Sequence, residues 1–301
     1  EYLAGAYEQW IEQGASAFRI DTIGWMPHTF WKAFADRIRA RHPGFFMFGE
    51  AFNYDAATIA GHTLLRNGGI SVLDFPLRAK LVETFEKPGS DFAELDKALY
   101  LQDGPYANPY DLVTFYDNHD MARMNASDEG FIDANNWLFT ARGIPAVYYG
   151  SETGFMRGRA EHAGNRNYYG QERIHAGKQN AIHRDLTRIA RLRRDSPALQ
   201  RGLQFSLRLK GDEAAFYRVY EHAGANQTAL VLLNKGDAQK RMQVSDYLQA
   251  GEWRDAFSGE RIQAGESLEL EVPAHGVRVL FFDQPLTRAD LRSRLSAAGV
   301  G

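Results

Sequence analysis

The sequence predicts an α/β chain: part of a parallel (β/α)₈ barrel followed by an antiparallel β-sandwich. Three observations carry this. First, runs of apolar, β-branched or aromatic residues each lead into an acid: 15–20 before Asp21, 45–48 and Gly49 before Glu50, and 112–115 before the stretch Tyr116-Asp117-Asn118-His119-Asp120. Buried parallel strands read this way, because both faces are covered and alternation disappears. Second, strand-like and helix-like segments alternate from Tyr2 to about Ser196, the pattern of parallel β/α units. Third, after Gly202 the apolar period falls to two.

The elements follow in order. Residues 29–41 place Phe30, Phe34 and Ile38 on one helical face and stop at His42-Pro43-Gly44. Gly68-Gly69 opens a strand over 70–75, which leaves Asp74 either as a helix cap or lining a pocket. A further strand is read over 143–150, with Pro145 near its start, where a missing N–H is tolerated. The five strands centre near Phe18, Phe46, Val72, Val113 and Val147. Residues 182–194 form a basic amphipathic helix whose arginines, Arg184, Arg188, Arg191, Arg193 and Arg194, read as a solvated face. Strands are then expected over 204–209, 214–220, 229–234, 268–272 and 276–282, separated by turns at 210–212, 223–226 and 258–259. Residues 286–298 read as a short amphipathic helix. The resulting division is a barrel part over 1–200, an all-β sandwich over 201–284 and a helical tail over 285–301.

A lone acid at a strand end is usually a cap or a surface group. Three on successive strands are different, because the C-terminal ends of barrel strands converge on one pocket. The motifs Phe18-Arg19-Ile20-Asp21, Phe48-Gly49-Glu50, Asp117-Asn118-His119-Asp120 and 143–152 (GIPAVYYGSE) occur in that order. In these motifs the chain resembles the α-amylase family of retaining glycosidases, glycoside hydrolase family thirteen. Met26-Pro27, Phe30-Trp31-Lys32 and 48–52 (FGEAF) are most similar to the branch of cyclodextrin glucanotransferases and related α-amylases. The resemblance covers roughly residues 1–285. It implies that the strands are four to eight of the barrel.

Cleaving the acetal between sugars needs one protonated acid at the leaving oxygen and one ionised carboxylate beneath the anomeric carbon. Arg19 lies two residues before Asp21, and the strand repeat aims both side chains the same way, which favours an ionised Asp21 as nucleophile. Glu50 follows four large apolar residues and a glycine, a setting that raises a carboxyl pKa and suits a general acid/base. The resemblance assigns the same roles. It also casts Asp120 as the third carboxylate, which stabilises the transition state, with His119 bonding the same sugar. Arg19, His119, Phe52, Trp25 and Arg166 are the expected substrate-binding residues. Phe52 matches an acceptor-stacking aromatic and Arg166 a donor-side arginine of the relatives. Trp25, Phe52, Tyr148 and Tyr149 are otherwise read as core aromatics, and Asp117 and Asn118 as turn formers.

Gly24 and Trp25 occupy positions where many family members carry a Lys-His pair. The acceptor side therefore differs, and transfer to a sugar hydroxyl is not presumed. The resemblance allows calcium as a cofactor, but the sequence displays no cluster of oxygen ligands for it.

Composition adds exclusions. A net charge of -3 gives no basic footprint for nucleic acid, and no apolar run reaches membrane-span length. With no cysteine there is no disulfide scaffold and no thiolate metal site. The hydrophobic fraction of 44% is ample for a core. The resemblance favours a secreted or periplasmic location.

Three functions follow: an α-1,4-glucan hydrolase of amylase type, a transglycosylase forming cyclic or rearranged glucans, or a non-catalytic carbohydrate-binding or partner subunit. The retention of all three carboxylates ranks the last one lowest. Five strands in place of eight imply that the N-terminal part of the same polypeptide supplies the remaining wall, since an open half-barrel exposes two sheet edges. Residues 1–301 expressed alone are expected to be insoluble or inactive; a cooperative melt together with starch cleavage would overturn this.

Overall fold

The computed structural model describes residues 2–297. Residue 1 and residues 298–301, which include the last position of the expected tail helix, lie outside the described residues. Strands β1 (Ala17–Ile20), β2 (Phe46–Gly49) and β3 (Ser71–Val72) form a parallel sheet in chain order. A parallel bridge from Leu73 to Val113 continues it into the parallel pair β4 (Val113–Thr114) and β5 (Ile144–Pro145). Five strands in sequential order, connected by helices on one side, are one wall of a β/α barrel.

Each crossover helix shows its sequence logic. His28–Arg41 buries Trp31, Phe34, Ala35 and Ile38, so the buried stripe is centred on Trp31 and not on Phe30, which is half-buried. Phe75–Glu86 starts at Asp74, whose side chain accepts the Leu77 N–H, with Pro76 in the first turn. The third strand is therefore shorter than expected, and Phe75 belongs to the helix. Asp128–Thr140 is capped by Ser127.

Expected burial on both strand faces is not what β1 and β2 show. Phe18 and Ile20 are buried against helices, while Ala17 and Arg19, on the other face, are exposed. Phe46 and Phe48 on β2 are half-buried. Alternation returns because the lumen face is open to solvent along these two strands. The fifth strand is confined to Ile144–Pro145; Val147, Tyr148 and Tyr149 lie beyond it in the following loop.

From residue 203 the strands are antiparallel. A six-stranded sheet runs β11 (Arg261–Ala264), β10 (Gly251–Asp255), β13 (Gly276–Phe282), β8 (Ala225–Asn234), β7 (Glu213–His222), β6 (Leu203–Lys210), and the pair β12 (Leu268–Val272) and β9 (Lys240–Val244) packs across it. Tyr217, Leu230, Leu232, Trp253 and Leu280 meet Met242, Leu270 and Val272 in the core between the layers. The sequence reading missed β9, β10 and β11, and it placed residues 225 and 226 in a turn although they open β8. The helix Ala289–Ala297 docks Leu291 into the same core.

Buried arginines tie the barrel part together, and one of them, Arg218, joins it to the sheet domain. Arg193, expected on a solvated face, is buried and donates to the carbonyls of Phe139, Ala141 and Gly143. Arg184, Arg191 and Arg194 are exposed as expected. Arg218, on β7, donates to Thr140 O at 2.8 Å and Gly202 O at 3.0 Å. Arg142 pairs with Asp74 at 2.6 Å, both fully buried, and donates to Leu99 O and Ala98 O. Asp74 is thus a cap and an ion-pair partner, not a pocket wall. Arg142→Met leaves the Asp74 charge buried and unpaired. The expected cost is about 3–5 kcal/mol, read as a lowered urea midpoint; a loss below about 1 kcal/mol would contradict it.

Candidate active site

Register brings the acids together. β1 pairs with β2 so that Ile20 faces Gly49, and the ladder continues past both ends: Glu50 N–H donates to Ile20 O at 2.8 Å and Ile23 N–H to Glu50 O at 3.1 Å. Asp21 and Glu50 therefore emerge side by side at the C-terminal edge of the sheet. Only glycine fits at position 49, since a Cβ there would come within 2.5–2.8 Å of the Ile23 side chain. Thr22, just after Asp21, holds a left-handed backbone (φ 48°), a strained conformation for a β-branched residue.

Arg19 bridges the two carboxyl groups. One guanidinium nitrogen pairs with Asp21 Oδ1, and the other lies 3.1 Å from Glu50 Oε2. The two carboxyls thus flank one guanidinium, and the negative charge of Asp21 bears on Glu50. Their environments differ: the Asp21 side chain is 65% exposed, that of Glu50 only 9%. The Arg19 hydrogen bond holds the Asp21 carboxyl below the ordinary carboxylate range. Burial pushes Glu50 up, the Arg19 charge partly opposes this, and the negative charges of Asp21 and Asp120 add to the rise.

The loop after β4 supplies the second half. Asn118 Oδ1 accepts the Asp120 N–H at 2.9 Å, which turns the chain as expected of an Asx residue. His119 Nε2 lies 3.0 Å from Asp120 Oδ2, and the Arg166 guanidinium pairs with Asp120 Oδ1. Arg166 Nε also donates to His119 O at 3.1 Å. Asp117 is buried beneath, accepting Met124 N–H and Ser151 Oγ–H at 2.7 Å each, and burial raises its pKa.

The structure thus brings Arg19, Asp21 and Glu50 into one contact group and His119, Asp120 and Arg166 into another. The two groups feel each other electrostatically, His119 acting on Asp21 and Asp120 on Glu50. Trp25 and Phe52 sit at the rim. Trp25 is 85% exposed, in the turn Ile23–Trp25, and stacks on no ring among the described residues. Phe52 is 59% exposed with its edge against Phe75, centroids 4.8 Å apart. Neither is a core aromatic. Tyr148 lies half-buried near His119, ring centroids 6.4 Å apart.

Sequence reading missed Arg123, Asn165 and Ser151, which tie these loops together. Arg123 falls three residues after Asp120, but a lone arginine in a loop carries no pattern. Among the described residues no three His, Asp or Glu side chains come together to hold a metal ion. Among the described residues, no helix is long and apolar enough to cross a membrane.

Paired carboxyls at the C-terminal ends of adjacent parallel strands define the class: a β/α-barrel protein with an acidic cluster at the face where such barrels carry their sites. The family model for the α-amylase catalytic domain matches residues 1–196, and the chain belongs to that family. A cyclomaltodextrin glucanotransferase from Bacillus sp. (strain 38-2) is 29% identical over 239 residues, covering 78% of this chain and 32% of the relative. An α-amylase from Niallia circulans is 29% identical over 276 residues, covering 88% of this chain and 50% of the relative. The chain spans about a third to a half of the length of these curated relatives. Among solved structures, an Anoxybacillus α-amylase superimposes with a TM-score of 0.80 at 24% identity, over 94% of this chain and 62% of that one. A cyclomaltodextrin glucanotransferase with a three-domain ABC distribution does so with a TM-score of 0.77 at 26% identity, over 94% and 59%. The fold is accordingly a partial TIM barrel with an appended sheet domain.

Arg19→Met removes the cation that lowers both carboxyls, so the titrations of Asp21 and Glu50 should both move upward. Carboxyl ¹³C NMR reads each one. An unmoved Glu50 would mean that Arg19 does not set its charge state.

Proposed function

We propose that this chain carries the carboxylates of a retaining glycosidase acting on α-1,4-glucans, namely starch, maltooligosaccharides and cyclodextrins. The observation that carries the reading is Arg19 bridging Asp21 and Glu50, with the exposed acid lowered and the buried acid raised. Inverting enzymes hold their carboxyls about 6.5–9.5 Å apart to admit a water; retaining ones keep them closer. Carboxyls held on the two terminal nitrogens of one guanidinium favour the closer spacing, and with it retention.

The reaction runs in two displacements. Asp21 attacks the anomeric carbon while Glu50 gives its proton to the departing glycosidic oxygen, leaving a glycosyl ester on Asp21. Glu50, now ionised, takes a proton from water as that water attacks the anomeric carbon and frees Asp21. Asp120 and His119 bind hydroxyls of the same glucose and stabilise its developing positive charge. Trp25 and Phe52 flank the acceptor side as exposed rings, and Arg166 the donor side.

The strands correspond to four to eight of the barrel. The N-terminal part of the same polypeptide supplies the rest of the wall, and the family resemblance allows calcium as a cofactor. The family resemblance favours an exported protein, and the barrel part ends near residue 200. A second reading, transfer to a sugar acceptor, is favoured by the exposed ring of Phe52 and by the glucanotransferase relatives. Gly24 and Trp25 weigh against it.

In the full-length polypeptide, Asp21→Asn and Glu50→Gln should each lower glucan cleavage by about 10³-fold or more. The kcat/KM profile should rise as Asp21 ionises, below the usual carboxylate range, and fall as Glu50 loses its proton, above it. Linear products with retained α-configuration support hydrolysis, and cyclic products support transfer. Full activity in either variant would defeat the assignment.

A further inference from the structure

Arg123 is 2% exposed and makes no contact that the chemistry above uses. Its Nε–H donates to Gly164 O at 2.7 Å, its Nη1 to Tyr149 O at 3.0 Å and to Ser151 Oγ at 3.4 Å. The guanidinium carbon lies 4.8 Å, 5.1 Å and 5.4 Å from the ring centres of Tyr148, Tyr149 and Phe155. Its own N–H reaches Arg159 O at 3.2 Å. One buried cation therefore gathers three backbone segments: the loop after β4, the loop after β5, and residues 157–167.

The segment held at Gly164 is the one that touches the site. Asn165, fully buried, donates from Nδ2 to His119 O at 2.6 Å and accepts Tyr148 O–H on its carbonyl at 2.7 Å. Arg166, next in the chain, pairs with Asp120 and His119 O. The guanidinium has no direct carboxylate partner, but buried Asp117 feels its charge and Ser151 Oγ bonds to both, a role for which charge alone would suffice. What the arginine supplies is direction: a planar fork that fixes two carbonyls while stacking on aromatic rings.

We propose that Arg123 is a positioning residue, which fixes Gly164 and Tyr149 from below and thereby sets Arg166 and Asn165 against the Asp120–His119 loop. This deepens the amylase-type reading and rests on it for its kinetic test. Lysine keeps the charge but loses the fork and the stacking, so Arg123→Lys restores little.

The test uses the full-length polypeptide with Arg123→Met, Arg123→Lys, Arg166→Met and the double variant Arg123→Met/Arg166→Met. Maltoheptaose kinetics should show kcat falling about 10- to 100-fold in Arg123→Met with KM little changed, since misplacement by about 1 Å costs rates of this order. The double variant should be no slower than the slower single, because the two act in series. Independent, multiplying losses, or an Arg123→Met enzyme with wild-type kcat, would overturn the proposal. A crystal structure of Arg123→Met should show Arg166 withdrawn from Asp120, and an unmoved Arg166 would overturn the proposal even in a protein with no glucan cleavage. If Arg123→Met does not melt cooperatively, Arg123→Lys takes both measurements with the same expected directions. A folded wild-type polypeptide that cleaves no α-glucan would sink the amylase-type reading alone, because the crystallographic comparison still decides the positioning.

Discussion

The site depends on one arginine held between two acids. Arg19 contacts Asp21 and Glu50 at once, and this lets two carboxyl groups sit around a single cation. Like charges so close would otherwise force one proton to be shared between them. The guanidinium opposes protonation of both groups but hydrogen-bonds Asp21, and burial is the largest influence on Glu50. A shared cation acting unequally, together with unequal burial, shifts two similar groups in opposite directions.

Holding that geometry is the task of the scaffold. The β1–β2 register aligns Ile20 with Gly49, and the absent side chain at 49 lets Ile23 close over the turn. Gly143 serves the neighbouring pair similarly: at φ 100°, a Cβ there would lie 2.4 Å from the Thr114 methyl, on the strand that leads to Asp120. The carbonyls that lead into β5 are then bound by Arg193 and Arg218, and the Arg218 bond to Thr140 O ties the sheet domain to the N-terminal side of that strand. Such carbonyls, buried outside regular ladders, would otherwise go unsatisfied.

The acids and their strands were legible because each signal is local. An apolar run ending in an acid needs only neighbouring residues to be read, and Arg19 and Asp21 share a strand face by simple repeat. The antiparallel module was legible where alternation was strong, as in 214–220 and 276–282. It was lost where polar residues dominate, as in β10, where Trp253 is the only large apolar side chain of Gly251–Asp255. Arg193 and Arg123 were misread or missed for a different reason. An arginine among arginines, or alone in a loop, carries no mark of burial; its partners are carbonyls 26 to 54 residues distant in sequence, brought near by the fold.

The open lumen face links fold and chemistry. On β1 and β2 the lumen residues Ala17, Arg19, Phe46 and Phe48 are exposed or half-buried, and Phe46 and Phe48 stack on each other with centroids 5.9 Å apart. Parallel sheets are usually covered on both faces, and the open lumen face of β1 and β2 departs from that pattern. Covering it would change the electrostatics. Excluding water from Arg19 strengthens its attraction for Asp21, while further enclosure of Glu50 raises the cost of its charge. The opposite shifts already present in the two carboxyls would therefore grow with cover, so solvent access to the lumen face and the acidity of these two groups are one physical variable.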